Sequence, residues 1–174
     1  MTTFCRRAAQ LFALVALFGA LTASTLAQAA RGPSTPDERA RISKLAADSR
    51  NDPLTVQAAN GAWFEQWLND VPDFTFKPEA VAKWCVRAAR GDMKKVVRFE
   101  FSVSALDYQI KHNLAAPTAP ADVAAVNLAA LDGVLAAYET LLAKDPDNRS
   151  PKMDEAIVSR NKGELAAFAA ALAQ

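Results

Sequence analysis

Three times in this chain a capping residue stands directly before a proline at the head of a helical pattern: Thr35-Pro36, Asp52-Pro53 and Ser150-Pro151. A Thr, Asp or Ser oxygen accepts one of the N–H groups that a first helical turn leaves unpaired, and proline at the first helical position gives up no useful donor. Such starts commit the chain to helices. In Thr35-Pro36-Asp37-Glu38 the acid three residues after the cap completes the signature, and the helix runs to about Arg50. The second helix extends from Asp52-Pro53 to about Val71, with Val56, Ala59, Trp63, Phe64, Trp67, Leu68 and Val71 at the three-and-four spacing of one buried face.

Pro72 closes that segment, and Asp73 to Lys77 reads as a short extended connector. Pro78 opens a third helix that buries Val81, Trp84, Cys85 and Ala88 and stops at Gly91, and Asp92 is placed to cap a fourth. Here two periodicities compete. Val96, Phe99, Val103, Leu106 and Ile110 fit a helical stripe, whereas Val97, Phe99, Phe101 and Val103 alternate with Arg98, Glu100 and Ser102 as a half-buried strand would. Helix is the better reading of 97–103, because only Phe74-Thr75-Phe76 offers a partner strand and an isolated hairpin is marginal.

Ala115 to Pro120 is the clearest linker. A long helix follows from about Ala121 to Lys144, carrying Val123, Val126, Ala130, Val134, Tyr138 and Leu141 on one side, and Asp145-Pro146 ends it. Ser150-Pro151 then starts a shorter helix, Gly163 interrupts, and Glu164 to Leu172 forms an alanine-rich last one. Six or seven helices with short connections imply an all-α fold, a single bundle or array over residues 30–174. An α+β fold with one short hairpin is the alternative. Tyr138 to Pro146 resembles the end of a tetratricopeptide helix, but no second copy stands at the period of about 34 residues.

The N-terminus has the three-part plan of a secretory signal: Arg6-Arg7, the apolar run Leu11 to Leu21, and Ala27-Gln28-Ala29 with cleavage expected after Ala29. Eleven apolar residues cover roughly 16 Å of a hydrocarbon layer ~30 Å thick. An uncleaved anchor would need the weaker flanks, Ala8 to Ala30, as well. Removal of residues 1–29 takes away Cys5 and two arginines, leaving 18 cations against 19 acids and one thiol, Cys85. No internal disulfide can then form, and the neutral balance is unlike that of a nucleic-acid binder. No stable membrane span is expected after cleavage, and the expected location is the periplasm or the exterior.

Candidate chemistry is sparse. His112, the one histidine, falls near the end of the fourth helix, where a cation suits the dipole, and one His with one Cys does not make a zinc site. Cys85 sits on an apolar helix face, which favours burial over a nucleophilic pairing with His112. Asp70 and Asp73 flank Pro72, where local turn hydrogen bonds are the plain explanation. Arg87, Arg90, Lys94, Lys95 and Arg98 form the densest basic cluster, suited to a phosphate, an anionic lipid or an acidic partner unless it is simply a solvated helix junction. Trp63, Trp67 and Trp84 are spaced as core residues, and any left exposed would mark a partner surface. No catalytic, cofactor-binding or metal-ligating residue is assigned.

Trp63-x3-Trp67 leading into Pro72-Asp73, then Leu131-x6-Tyr138-x2-Leu141-Leu142-x2-Asp145-Pro146, and a closing Gly163-x-Leu165-x2-Phe168 span about two-thirds of residues 30–174. In this order of features the chain resembles a group of exported bacterial α-helical proteins without known activity. The resemblance implies a helical fold and export, and it carries over no functional residue. The expected function is therefore a non-enzymatic envelope protein that binds a protein or another envelope component. A small-ligand or lipid carrier, or an enzyme with a pocket between helices, is the alternative.

Overall fold

Thr35 and Glu38 cap each other in the structure: the Glu38 amide donates to Thr35 Oγ1 at 3.3 Å, and the Thr35 amide donates to Glu38 Oε2 at 2.8 Å. They open α1, Pro36–Asn51, in a computed structural model that describes residues 31–75 and 80–173. The expected signal segment, Phe76 and the Pro78 helix start lie outside the described residues. The remaining helices are α2 (Pro53–Asp70), α3 (Ala80–Ala88), α4 (Met93–His112), α5 (Pro120–Lys144), α6 (Pro151–Asn161) and α7 (Leu165–Leu172), with a short 3-10 turn at Pro146–Asn148. The fold is all-α, and no strand occurs among the described residues.

The ambiguous segment 97–103 is helical, and its burial explains the ambiguity. α4 is covered nearly all round by its neighbours. Val97, Phe101 and Ala105 belong to a core shared with α3, α5, α6 and α7, while Phe99, Val103 and Leu106 belong to a second core shared with α1 and α2. A helix with two apolar faces satisfies a period of two and a period of 3.6 at once, so periodicity alone could not separate them. In the second core Phe64 meets Phe99 edge-on at 5.3 Å, and Trp67 is almost fully buried beside Phe64. Each such aromatic contributes roughly 1.5–3 kcal/mol by leaving water.

Two expected details are corrected, and one helix stop is new. Ala59 is exposed, so the buried side of α2 is narrower than its spacing suggested. Asp92 stands before α4 in a helical conformation and makes no side-chain cap, the turn being closed instead by the Met93 amide on the Arg90 carbonyl at 3.0 Å. The left-handed stop after α4 is Asn113 (φ 55°), with the Leu114 amide returning to the Gln109 carbonyl at 2.8 Å. Asparagine tolerates this conformation better than other residues with a side chain.

α5 is long and apolar enough to cross a bilayer by length and composition. Half of that stretch is buried inside the protein, however, where Val126, Ala130, Val134, Tyr138 and Leu141 pack against α4 and its neighbours. At one end of the bundle Tyr138 Oη accepts the Ser150 amide at 2.9 Å and donates to Asp154 Oδ1 at 2.7 Å. Ser150 Oγ in turn donates to the Ala88 carbonyl at 2.8 Å, tying the end of α3 to the start of α6.

Candidate functional site

That tie fixes the corner at which α3 turns into α4. The buried side of α3 is formed by Val81, Ala82, Cys85 and Ala88, which leaves Lys83, Arg87 and Arg90 exposed at helical spacing on the opposite side. The chain reverses through Gly91, whose φ of 46° lies in the region that glycine occupies without strain. α4 then buries Met93, Val96 and Val97 and leaves Lys94, Lys95 and Arg98 in solvent. None of these six cations takes part in an ion pair among the described residues, whereas Arg31, Lys44, Lys111, Lys144, Arg149 and Arg160 all do. Residues 80–98 hold six cations and one exposed acid, Asp92, a net +5, so the rest of residues 30–174 carries −6. This junction is thus the densest run of positive charge in a nearly neutral chain.

A second polar feature lies inside. Glu100 is fully buried, and its carboxyl accepts the hydroxyl of Ser104 at 2.8 Å and that of Ser49 at close range. Burial raises this carboxyl to about 7 from the ordinary 4.5, against the opposing pull of the two serine hydroxyls and the Arg50 charge. The alternating reading of the sequence put Glu100 toward solvent, and the structure reverses that. A carboxyl fully shielded from water and enclosed by serines is part of the α1–α4–α5 packing rather than an open acid–base site.

The other singled-out residues separate. Cys85 is fully buried in the core, and desolvation pushes its thiol up to about 12. His112 is exposed on the last turn of α4 with its ring stacked on Tyr108 at 4.1 Å, so the two do not form a nucleophile–base pair. Asp70 is exposed, while Asp73 accepts the Ser34 amide at 2.8 Å and the Ser34 hydroxyl at 2.7 Å. The partners of Asp73 are therefore 39 residues away, in place of the local turn bonds expected. Trp67 is core, Trp84 packs edge-on against Phe168 at 5.2 Å, and half-buried Trp63 carries the Arg41 guanidinium 3.5 Å above its ring. Among the described residues no three His, Cys, Asp or Glu side chains gather as a metal site would need.

An open cleft of about 460 Å³ lies where the first turns of α5 meet α7 and the start of α3. Val81, Val123, Leu128, Ala166, Ala169 and Ala170 give it apolar walls, and Asn127 and Thr118 are its polar side chains. The sequence reading missed Asn127 because it is one amide inside the apolar pattern of α5, with no motif around it. No family model, no curated protein and no solved structure matches the chain.

Proposed function

We propose that the chain is exported to the cell envelope and acts there as a non-enzymatic binding protein, docking on an anionic membrane surface through the α3–α4 junction. The observation that carries this reading is the set of six exposed cations, Lys83, Arg87, Arg90, Lys94, Lys95 and Arg98, none with an ion-pair partner. A basic residue brought close to an anionic leaflet contributes about 1 kcal/mol, so several acting together suffice for reversible docking. Export is supported by Arg6-Arg7 followed by the apolar run Leu11 to Leu21.

A membrane surface fits this patch better than an acidic protein does. Protein interfaces draw most of their strength from a buried aromatic or apolar anchor ringed by polar groups. The exposed large apolar side chains among the described residues, Leu54 and Val158, stand on α2 and α6, not on α3 or α4. A diffuse field of negative headgroups needs no such anchor. Cosedimentation with vesicles tests the reading: binding to vesicles rich in phosphatidylglycerol, falling steeply with added salt, is expected. Equal binding to uncharged phosphatidylcholine vesicles, or none to either, would refute it.

A further inference from the structure

Eight polar or charged residues are buried among the described residues: Ser34, Ser49, Glu100, Ser104, Asp107, Gln109, Asn127 and Ser150. Seven of them make side-chain hydrogen bonds: Ser34 to Asp73, Ser49 and Ser104 to Glu100, Asp107 to Lys111, Gln109 to the Thr75 carbonyl, and Ser150 to the Ala88 carbonyl. Asn127 makes none, although only 9% of its surface is exposed. An amide side chain offers two donors and an acceptor, and those of Asn127 meet the open cleft rather than a partner within the protein. Arg50 Nε, Trp67 Nε1, Asp107 Oδ1 and Gln109 Oε1 are also buried without a partner, but Asp107 and Gln109 each bond through their other polar atom, so Asn127 alone of the eight has a side chain with no hydrogen bond at all. Asn127 lines the apolar cleft between α5 and α7.

We propose that this cleft is a binding site for an uncharged, mostly apolar molecule with one hydrogen-bonding polar group, which pairs with the Asn127 amide. The volume, about 460 Å³, falls within the range of small-molecule pockets, which are characteristically apolar walls with a few placed polar groups. The ligand is uncharged because none of the described lining residues carries a charge, so a carboxylate or an ammonium would enter without a counter-ion. It carries a hydroxyl, carbonyl or amide because Asn127 both donates and accepts. Alanines at 166, 169 and 170 keep side chains short along α7, so the backbones approach closely and the walls favour a slim, unbranched body. The site rests on different residues from the basic junction and stands or falls independently of it.

The test uses the full chain, expressed and purified from the producing cells, with N-phenylnaphthylamine as a fluorescent probe and two competitors of equal chain length. Monolaurin is uncharged with hydroxyl and ester groups, and laurate is charged. Saturable probe binding is expected, displaced by monolaurin at concentrations about tenfold lower than by laurate. Asn127→Leu keeps the apolar wall and should fold, since it removes an unpaired amide. It is expected to retain the probe and to weaken monolaurin about three- to tenfold, the loss of one neutral hydrogen bond. Ala166→Phe, at an exposed position of the rim, is expected to abolish binding of both while leaving the thermal midpoint unchanged. Absence of saturable probe binding, or probe and monolaurin affinities that neither substitution alters, would overturn the proposal.

Discussion

Ser104 of α4 occupies the space that Gly133 of α5 leaves empty: a Cβ at Gly133 would stand 2.0 Å from Ser104 Oγ and 2.7 Å from Ser104 Cβ. Glycine inside a 25-residue helix is costly by about 1 kcal/mol relative to alanine, so its presence marks a contact that a side chain would prevent. Glu100 is held in the same crossing, 3.0 Å from that missing Cβ. The buried carboxyl and the glycine therefore belong to one arrangement, with α4 and α5 close enough for a serine to fill the gap.

Gly133→Ala is expected to destabilise the protein by about 1–3 kcal/mol despite the better helix propensity of alanine, because overpacking forces the two helices apart. Urea unfolding measures this directly. An unchanged or raised midpoint would mean that the crossing can widen freely.

Glu100 makes stability depend on pH in a definite direction. Its carboxyl is raised in the folded state to about 7 from 4.5, so the folded protein holds that proton more tightly than the unfolded chain does. The contribution is fully present below pH 4.5 and is lost as pH rises toward and through about 7. The interval corresponds to about 3 kcal/mol at most. Glu100→Gln, which stays neutral, should therefore gain on the wild type between pH 5 and pH 9 in urea midpoints. A difference between the two proteins that does not change with pH would contradict the assignment.

Asp73 works in the opposite sense. Burial alone would raise its carboxyl, but the hydrogen bonds from the Ser34 hydroxyl and amide overcome this and hold it below the ordinary 3.8. The stabilisation is present above pH 3.8 and is lost as pH falls through the lower folded value. Asp73→Ala should cost about 1–3 kcal/mol at pH 7, with a smaller difference near pH 3. A cost that is the same at both values would show that Ser34 gains nothing from the charge.

Cys85, fully buried with its thiol pushed up to about 12, should be silent toward a disulfide reagent at pH 8 in the native protein. Its labelling rate should follow the unfolding rate as urea is added. Rapid labelling without denaturant would place the thiol at the surface.

Much of the fold could be read from local signals because each is a self-contained piece of chemistry. The cap at Thr35, proline starts at 36, 53 and 151, and the stop at Asp145-Pro146 specify helix ends within a few residues, and the structure places them there. What escaped depends on neighbours distant in sequence. Glu100 lay outside the apolar stripe of the helix reading, and its burial escaped notice because Ser49, which donates to it, stands on another helix and the close approach of α5 depends on a glycine on a third. Asp73 looked like a turn residue because Ser34 is 39 positions away. The basic cluster at 87–98 was visible as composition. That its cations lack ion-pair partners, and that Lys83 joins them, emerged only once helices and burial were in place. The cleft at Asn127 had no local signal, since one amide among alanines and valines has no motif.

The most direct measurement of the central claim is vesicle binding by a charge-reversed junction, Arg87→Glu with Lys94→Glu and Arg98→Glu, at exposed positions where the helical fold should persist. With circular dichroism unchanged, affinity for phosphatidylglycerol vesicles at low salt should fall at least about a hundredfold, the loss of three attractive contacts at about 1 kcal/mol each. An affinity equal to that of the wild-type protein, with the same salt dependence, would contradict docking through the α3–α4 junction.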